Sequence, residues 1–488
     1  MDDARLDEFR ELFGDLTRAA LERGSSHEPA FRVLLRDHLG MDPTELQVVA
    51  EKLPLWDHAN LQLAVEALIE RARESRLVGI GGGNKRYMPL SLSDLVNEHH
   101  FRPSAAEYVN VPVGPDEEHA CLLFGVVLLR LDRGAAAVLV RRGDEHGPNP
   151  GLAVEAVSPT EGLASDLLAE LRSLMRERNV YRGTMFSLEQ KMWERVDVRF
   201  HERPTVARSE IVLPDAVLDA VEGHVVEIGR QADALRAAGR HLKRGVLLHG
   251  PPGTGKTLTV KWLASELREV TVLVLAGGGL GLAGPMLRLA RELQPSVVVL
   301  EDVDLVGEER TAIMPGAAPV LFELLNELDG LADDADVAVV LTTNRPDLLE
   351  PALAARPGRV DLAIEVPLPD APARRRLLDV YANGLTLELA EPDVVVARTE
   401  GVTASFFREL LRRAALAAAK RQSSTVVVDT DVSQALDELL DGAGRLTRVL
   451  LGAEERTDAR AGDPRAWLVA QASAAQGIAA SGPVPSDT

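Results

Sequence analysis

The spacing of apolar positions divides the chain into segments of different kinds. Leu6, Phe9, Phe13, Leu16 and Ala20 recur at helical intervals, and Leu61, Ala64, Val65, Leu68 and Ile69 form a second apolar stripe. Stripes of this period are faces of helices packing on one another, so residues 1–100 read as a helical region. From Tyr108 the pattern turns to strands: apolar runs at 121–131 and 135–142 flank Asp132-Arg133-Gly134, a hairpin signal. A helix is predicted over 163–178 and a further strand through 180–188, which makes 101–205 a small α/β or α+β domain. Beyond it, short apolar runs at 245–249, 297–300 and 337–341 read as buried strands of a parallel sheet. After about residue 451 the chain is rich in Ala, Gly, Ser and Pro, which predicts a mobile tail over 451–488.

Composition narrows this picture. A length of 488 residues allows about three domains of ~100–200 residues each. Hydrophobic residues at 46% and charged residues at 26% are enough to bury their cores. The single cysteine, Cys121, excludes an internal disulfide and offers no zinc cluster. No apolar run approaches the ~18 residues that span a bilayer; the longest, 120–129, is closed by Arg130. The opening Asp2-Asp3-Ala4-Arg5 has neither the basic start nor the apolar centre of a signal peptide. These features suit a reduced, cytoplasmic compartment. The net charge of −21 disfavours nucleic acid as a partner, because neutralising phosphates with basic residues supplies most non-specific affinity. His99, His100, His119 and His146 lack metal-ligand spacing and read as surface or core histidines. The run Gly79-Ile80-Gly81-Gly82-Gly83-Asn84-Lys85-Arg86 lacks the Gly-Lys-Ser/Thr ending of a phosphate loop and reads as a turn.

The chemistry is concentrated further on. The strand Gly245-Val246-Leu247-Leu248-His249 runs into Gly250-Pro251-Pro252-Gly253-Thr254-Gly255-Lys256-Thr257, and a helix follows. Phosphate binding needs this order: glycines let backbone N–H groups turn inward, and the helix N-terminus adds about half a positive charge. Lys256 reaches the β- and γ-phosphates of ATP, and the Thr257 hydroxyl ligates Mg²⁺. A second strand, Val297-Val298-Val299-Leu300, ends in Glu301-Asp302-Val303-Asp304, acids that face the nucleotide from the C-terminal end of a parallel strand. A third ends in Thr342-Thr343-Asn344, where Asn344 can orient the attacking water or sense the γ-phosphate.

These residues resemble an AAA-type ATPase module. Asn344-Arg345-Pro346-Asp347, Glu350-Pro351-Ala352-Leu353 and Arg356-Pro357-Gly358-Arg359-Val360-Asp361 are similar to that family's second region of homology. The resemblance implies that Asn344 is the sensor and that Arg356 and Arg359 are arginine fingers acting on ATP held by a neighbouring subunit. It therefore implies a ring of like chains, usually six, with the active sites between subunits. It also implies a large α/β ATPase subdomain over 206–367 and a helical lid over 368–450. Within the lid, Ala404 and Ser405 match positions near the adenine and ribose. The expected fold class is thus α/β, a P-loop NTPase sheet with a helical lid, preceded by the helical region and the small domain.

Two departures limit the resemblance. The usual acid pair is Asp then Glu, whereas Glu301 here takes the magnesium-side place and Asp302 the water-activating place. Asp is one methylene shorter, so either a water chain bridges the gap or the backbone sits closer. The segment between the two nucleotide motifs reads Gly277-Gly278-Gly279-Leu280-Gly281-Leu282-Ala283-Gly284, without the aromatic residue that threading unfoldases carry. Both traits resemble the subgroup of the mitochondrial Rieske-protein translocase. The GxGxxG string from Gly279 to Gly284 suggests dinucleotide binding only when taken outside this context. The leading expectation is an ATP-hydrolysing ring that remodels a protein recognised by residues 1–205. The rival is a nucleotide-gated switch or scaffold with slow hydrolysis, and a clamp-loader-like factor on DNA fits the acidity worst.

Overall fold

The computed structural model describes residues 28–82, 90–143, 151–190, 196–276, 281–304, 335–347, 360–422 and 425–440. The apolar stripe at 6–20 and the tail at 451–488 lie outside them. The chain forms two compact units, one of residues up to Gly250 with Lys256–Val366, the other of Pro251–Gly255 with the residues from Pro367. Among the described residues no helix is long and apolar enough to cross a membrane.

The first unit begins with an α/β layer. Its elements are α1 (Ala30–Leu39), β1 (Val48–Leu53), α2 (His58–Arg71), β2 (Glu74–Gly81), α3 (Leu92–Asn97), β3 (Arg102–Ser104), β4 (Glu107–Pro112), β5 (Glu118–Leu131), β6 (Gly134–Arg142), β7 (Leu152–Val157) and α4 (Leu163–Glu177). The strands form an antiparallel sheet of order β1-β7-β6-β5-β2-β3, with β4 also paired to β5. Successive side chains of β5 point to opposite faces, and both faces are apolar. Val127 and Leu129 pack under α2 and α4 with Leu61, Leu68, Leu167 and Leu171. Val126 and Leu128 pack on the other side with Phe31, Leu35 and Leu95 of α1 and α3. That double covering is why 121–131 reads as a continuous apolar run rather than an alternating one.

The expectation of a helical first hundred residues is corrected here. The stripe at 61–69 is helical as expected, but β1 and β2 are strands. In β1 the half-buried positions include Glu51 and the outward positions include Val48 and Ala50, so the burial alternation does not follow polarity. The glycine run does not begin as a turn either: Gly79 and Gly81 lie in β2, with Gly79 opposite Gly125 of β5.

A second sheet follows, with β8 (Met185–Gln190), β9 (Val196–His201), α5 (Asp215–Glu222), α6 (Ala232–Ala237), β10 (Arg244–His249), α7 (Lys256–Glu266), β11 (Thr271–Ala276), α8 (Ala283–Glu292), β12 (Ser296–Glu301), β13 (Val337–Thr343) and β14 (Leu362–Glu365). Its order is β14-β10-β13-β12-β11-β8-β9, parallel except for β9. The boundary expected at 205 is therefore displaced. The β8–β9 hairpin extends this second sheet beyond β11, with Met185 beside Val272 and Ser187 beside Val274. Tyr181, Phe186 and Phe200 pack in one core with Leu273, Leu287 and Val298. Strand pairing between residues almost ninety apart leaves no local signature, which is why the sequence placed the boundary after the hairpin. The joint is hydrogen-bonded as well: Asn60 accepts from Val180 N, the Tyr181 hydroxyl donates to Trp56 O, and Arg182 donates to Glu292 O and Gln294 O.

At the N-terminal ends of the strands Arg244 and Asp336 form an ion pair at 2.8 Å with side chains 5% and 6% exposed. Arg244 also donates to Val225 O and Leu242 O. A buried cation that loses its carboxylate keeps its desolvation cost, so Asp336→Ala should destabilise the protein by about 3 kcal/mol. Denaturant unfolding of the variant measures this, and the double change Arg244→Met with Asp336→Leu should recover most of the loss.

The second unit carries α9 (Ala371–Tyr381), β15 (Thr386–Glu388), α10 (Pro392–Arg398), α11 (Ala404–Gln422), β16 (Val426–Val428) and α12 (Asp429–Leu440). Its interior is built from Leu377, Phe406, Phe407, Leu410, Ala414, Val432 and Leu436, all buried. β15 and β16 form a short parallel ladder.

Candidate nucleotide site

The site of the first unit is built where β10, β12 and β13 end. Each strand is buried, and each pairs in parallel with its neighbour, so their C-terminal ends meet at one edge. β10 leads into Gly250 at φ 148°, where a Cβ atom would meet Val366 O at 2.3 Å, so no other residue fits. Lys256 opens α7 and is 6% exposed, and its Nζ donates to Gly250 O at 2.8 Å. Burial lowers its pKa below the ordinary lysine value, while the charges of Asp302 and Asp304 oppose that shift.

Glu301 ends β12 half-buried. Burial raises its carboxyl above the usual range, a hydrogen bond with Thr257 lowers it, the charge of Asp302 raises it and Lys261 lowers it. Asp302 follows at φ 51°, and among the described residues it is the one non-glycine residue with positive φ. Its backbone N–H donates to Thr342 Oγ1 at 3.0 Å, and Val303 N donates to Thr342 O at 3.1 Å. Asp304, 7% exposed, accepts from Thr343 Oγ1 at 2.9 Å and from Asn344 N at 3.2 Å. Asn344 Nδ2 donates to Asp302 Oδ1 at 3.3 Å. An ammonium, three carboxyl groups, three threonine hydroxyls and a carboxamide thus converge at one edge of the sheet.

In the second unit, Thr254 Oγ1 donates to Pro251 O at 2.9 Å, and Ser405 N donates to Gly253 O at 3.1 Å. Thr403 and Ser405 share a hydroxyl–hydroxyl bond of 2.9 Å. Gly253 has φ 77°, and a Cβ there would lie 2.3 Å from Ser405 Oγ. Pro252 and Gly255 belong to the same short segment, and Ala404 is buried at the start of α11.

The profile of the ATPase family associated with various cellular activities (AAA) matches residues 246–368. A proteasome-activating nucleotidase of Pyrococcus horikoshii is 30% identical over 296 residues, which are 56% of this chain and 74% of that protein. The chain belongs to the AAA ATPase family. The AAA region is also similar to the ATP-dependent zinc metalloprotease FtsH 2 of Sphaerobacter thermophilus, 36% identical over 243 residues. That match covers 48% of this chain and 37% of the relative, so the chain spans well under half of the FtsH protein. A second nucleotidase, from Pyrococcus abyssi, is 31% identical over 274 residues, 51% of this chain and 69% of the relative. The mixed α/β architecture with a parallel sheet accords with the AAA assignment.

Of the residues that the sequence singled out, Lys256, Thr257, Glu301, Asp302 and Asn344 are brought together in the first unit of this AAA chain. Arg356 and Arg359 lie outside the described residues, as does the glycine segment 277–280. Thr342 was given no role by sequence, and Asp304 only a place among the acids facing the nucleotide. Their signal was present: polar residues stand at the ends of otherwise apolar buried strands, where Thr342 is 1% exposed.

Proposed function

We propose that the chain is an ATP-hydrolysing AAA motor that assembles into a ring, usually of six, and remodels a protein substrate recognised by its N-terminal α/β layer. The observation that carries this reading is the convergence of Lys256, Thr257, Glu301, Asp302 and Asn344 at one sheet edge. Residues Gly250 to Thr257 hold the phosphates of ATP, with Lys256 reaching the β- and γ-groups. The Thr257 hydroxyl and Glu301 carboxylate, already hydrogen-bonded to each other, are hard oxygen donors that fit Mg²⁺, and they would hold it. When bound, that ion would supply neutralising charge to the phosphate oxygens.

Asp302 takes a proton from the attacking water, whose oxygen bonds to the γ-phosphorus as the bond to the β-phosphate oxygen breaks and ADP leaves. Asn344 orients that water. Arg356 and Arg359 of a neighbouring subunit stabilise the charge developing on the transferred group. Ala404 and Ser405 contribute near the adenine and ribose. ATP binding and hydrolysis favour different states of the assembly, and that difference drives the substrate. The Glu301-Asp302 order also supports a likeness to the Rieske-translocase subgroup.

The shorter reach of Asp302 favours a second reading, a nucleotide-gated switch whose slow hydrolysis only resets assembly. Mixed assemblies test the ring. Arg356→Ala should bind ATP normally and lose most of its turnover, and mixing it with Asp302→Asn subunits should restore part of the ATPase activity. Mixtures no more active than either variant alone would remove the inter-subunit site.

A further inference from the structure

The backbone at Asp302 carries a consequence for how an aspartate serves where the AAA pattern has a glutamate. A left-handed conformation crowds the Cβ atom of any L-residue, and Asp and Asn tolerate it best. It persists only where the surroundings over-determine it. Those surroundings are on hand: Thr342 Oγ1 accepts from Asp302 N, Thr342 O accepts from Val303 N, and Asp304 Oδ1 accepts from both Thr343 Oγ1 and Asn344 N. Three consecutive residues after β12 are thereby tied to three consecutive residues at the end of β13. Thr342 and Asp304 are both buried, and Thr343 Oγ1 is itself fixed by accepting from Arg345 N at 2.9 Å.

A residue continuing the strand would project to the side opposite Glu301. The left-handed turn at Asp302 breaks that alternation and leaves Oδ1 at 3.3 Å from Asn344 Nδ2, within electrostatic reach of Lys256.

We propose that Thr342 and Asp304 are positioning residues that lock Asp302 in this left-handed conformation, so that backbone geometry replaces the missing methylene of the water-activating carboxylate. This rests on the reading of Asp302 as that carboxylate. The lock is a property of the pair of strand ends rather than of Asp302 alone. A longer side chain on the same backbone overshoots.

The test is a double-mutant cycle on the full chain, read by steady-state phosphate release and by separate titration of ATP affinity. Thr342→Val keeps the shape and removes the acceptor for Asp302 N. Its kcat should fall about tenfold, the scale of one lost buried hydrogen bond, with ATP affinity unchanged. Thr342→Ser keeps the hydroxyl and should restore the rate. Asp302→Glu should lower kcat in the wild-type background, and should cost at least about threefold less once Thr342→Val has released the backbone.

Wild-type kcat in Thr342→Val, or an Asp302→Glu variant faster than wild type whose effect adds independently to that of Thr342→Val, overturns the proposal. Should Thr342→Val fail to fold, the Asp302→Glu rate decides, with a gain in turnover counting against the lock. Asp302→Asn separates the two levels. If that variant turns over like wild type, the carboxylate assignment and the lock fall together. If it is inactive while Thr342→Val is unaffected, the lock alone falls.

Discussion

Lys256→Ala should abolish ATP binding, with affinity falling at least about a hundredfold. The side chain is held buried with Nζ on Gly250 O, and burial already lowers its pKa while the charges of Asp302 and Asp304 oppose that shift. Such a group is poised for an anion: phosphate oxygens restore the favourable surroundings that burial removed. A charge-assisted hydrogen bond contributes about 1.5–3 kcal/mol, and Lys256 reaches two phosphate groups, so losing it removes about 3 kcal/mol or more. The sign of the pH dependence follows. The lowered pKa means the ammonium loses its proton at lower pH than an exposed lysine, so ATP affinity should weaken as pH rises through that range. Calorimetric or fluorescent-nucleotide titration measures both. A variant that holds nucleotide at wild-type affinity would sink the phosphate-loop assignment.

The second large effect separates binding from turnover. Asp302→Asn should retain ATP and lose hydrolysis by about 10²–10³-fold, the scale of a removed general base. Asparagine has the same shape, tolerates the left-handed backbone, and can still meet Asn344 across 3.3 Å after an amide flip. Any loss is therefore of proton acceptance rather than of fold. Phosphate release with saturating ATP is the measurement. Equal turnover in variant and wild type, with tight ATP binding in both, would favour the nucleotide-gated switch. If the proposed remodelling role holds, the same variant held in the ATP state should retain its protein substrate.

The residues of the candidate site were legible in the sequence because a phosphate-loop pattern is contiguous. Gly250 to Thr257, Glu301-Asp302 and Asn344 each announce themselves by glycine content or by polarity at the end of an apolar run, and the ATPase strands 245–249, 297–300 and 337–341 were read for the same reason. The helix at 163–177 and the hairpin about Asp132-Arg133 were legible from period and turn residues. β1 was not, because its outward face carries Val48 and its half-buried face Glu51. The membership of β8 and β9 in the ATPase sheet was not either, since it depends on contacts with β11 far along the chain. The left-handed Asp302 had only a weak signal in its own identity, since aspartate tolerates that conformation but does not require it. Only the threonine pair at 342–343 hinted that the strand end is held by hydroxyl groups.

The β8–β9 hairpin makes the N-terminal α/β layer and the parallel sheet covalent neighbours that also share an interior. A recombination breakpoint near residue 205 would leave β11 as a bare edge and remove Phe186, Leu188 and Phe200 from a shared interior. A new front end could be inherited only by supplying its own two strands and aromatic plug, or by arriving with the old ones attached. A graft of a different N-terminal domain would thus keep this sheet intact only if its junction lay upstream of the turn at Tyr181.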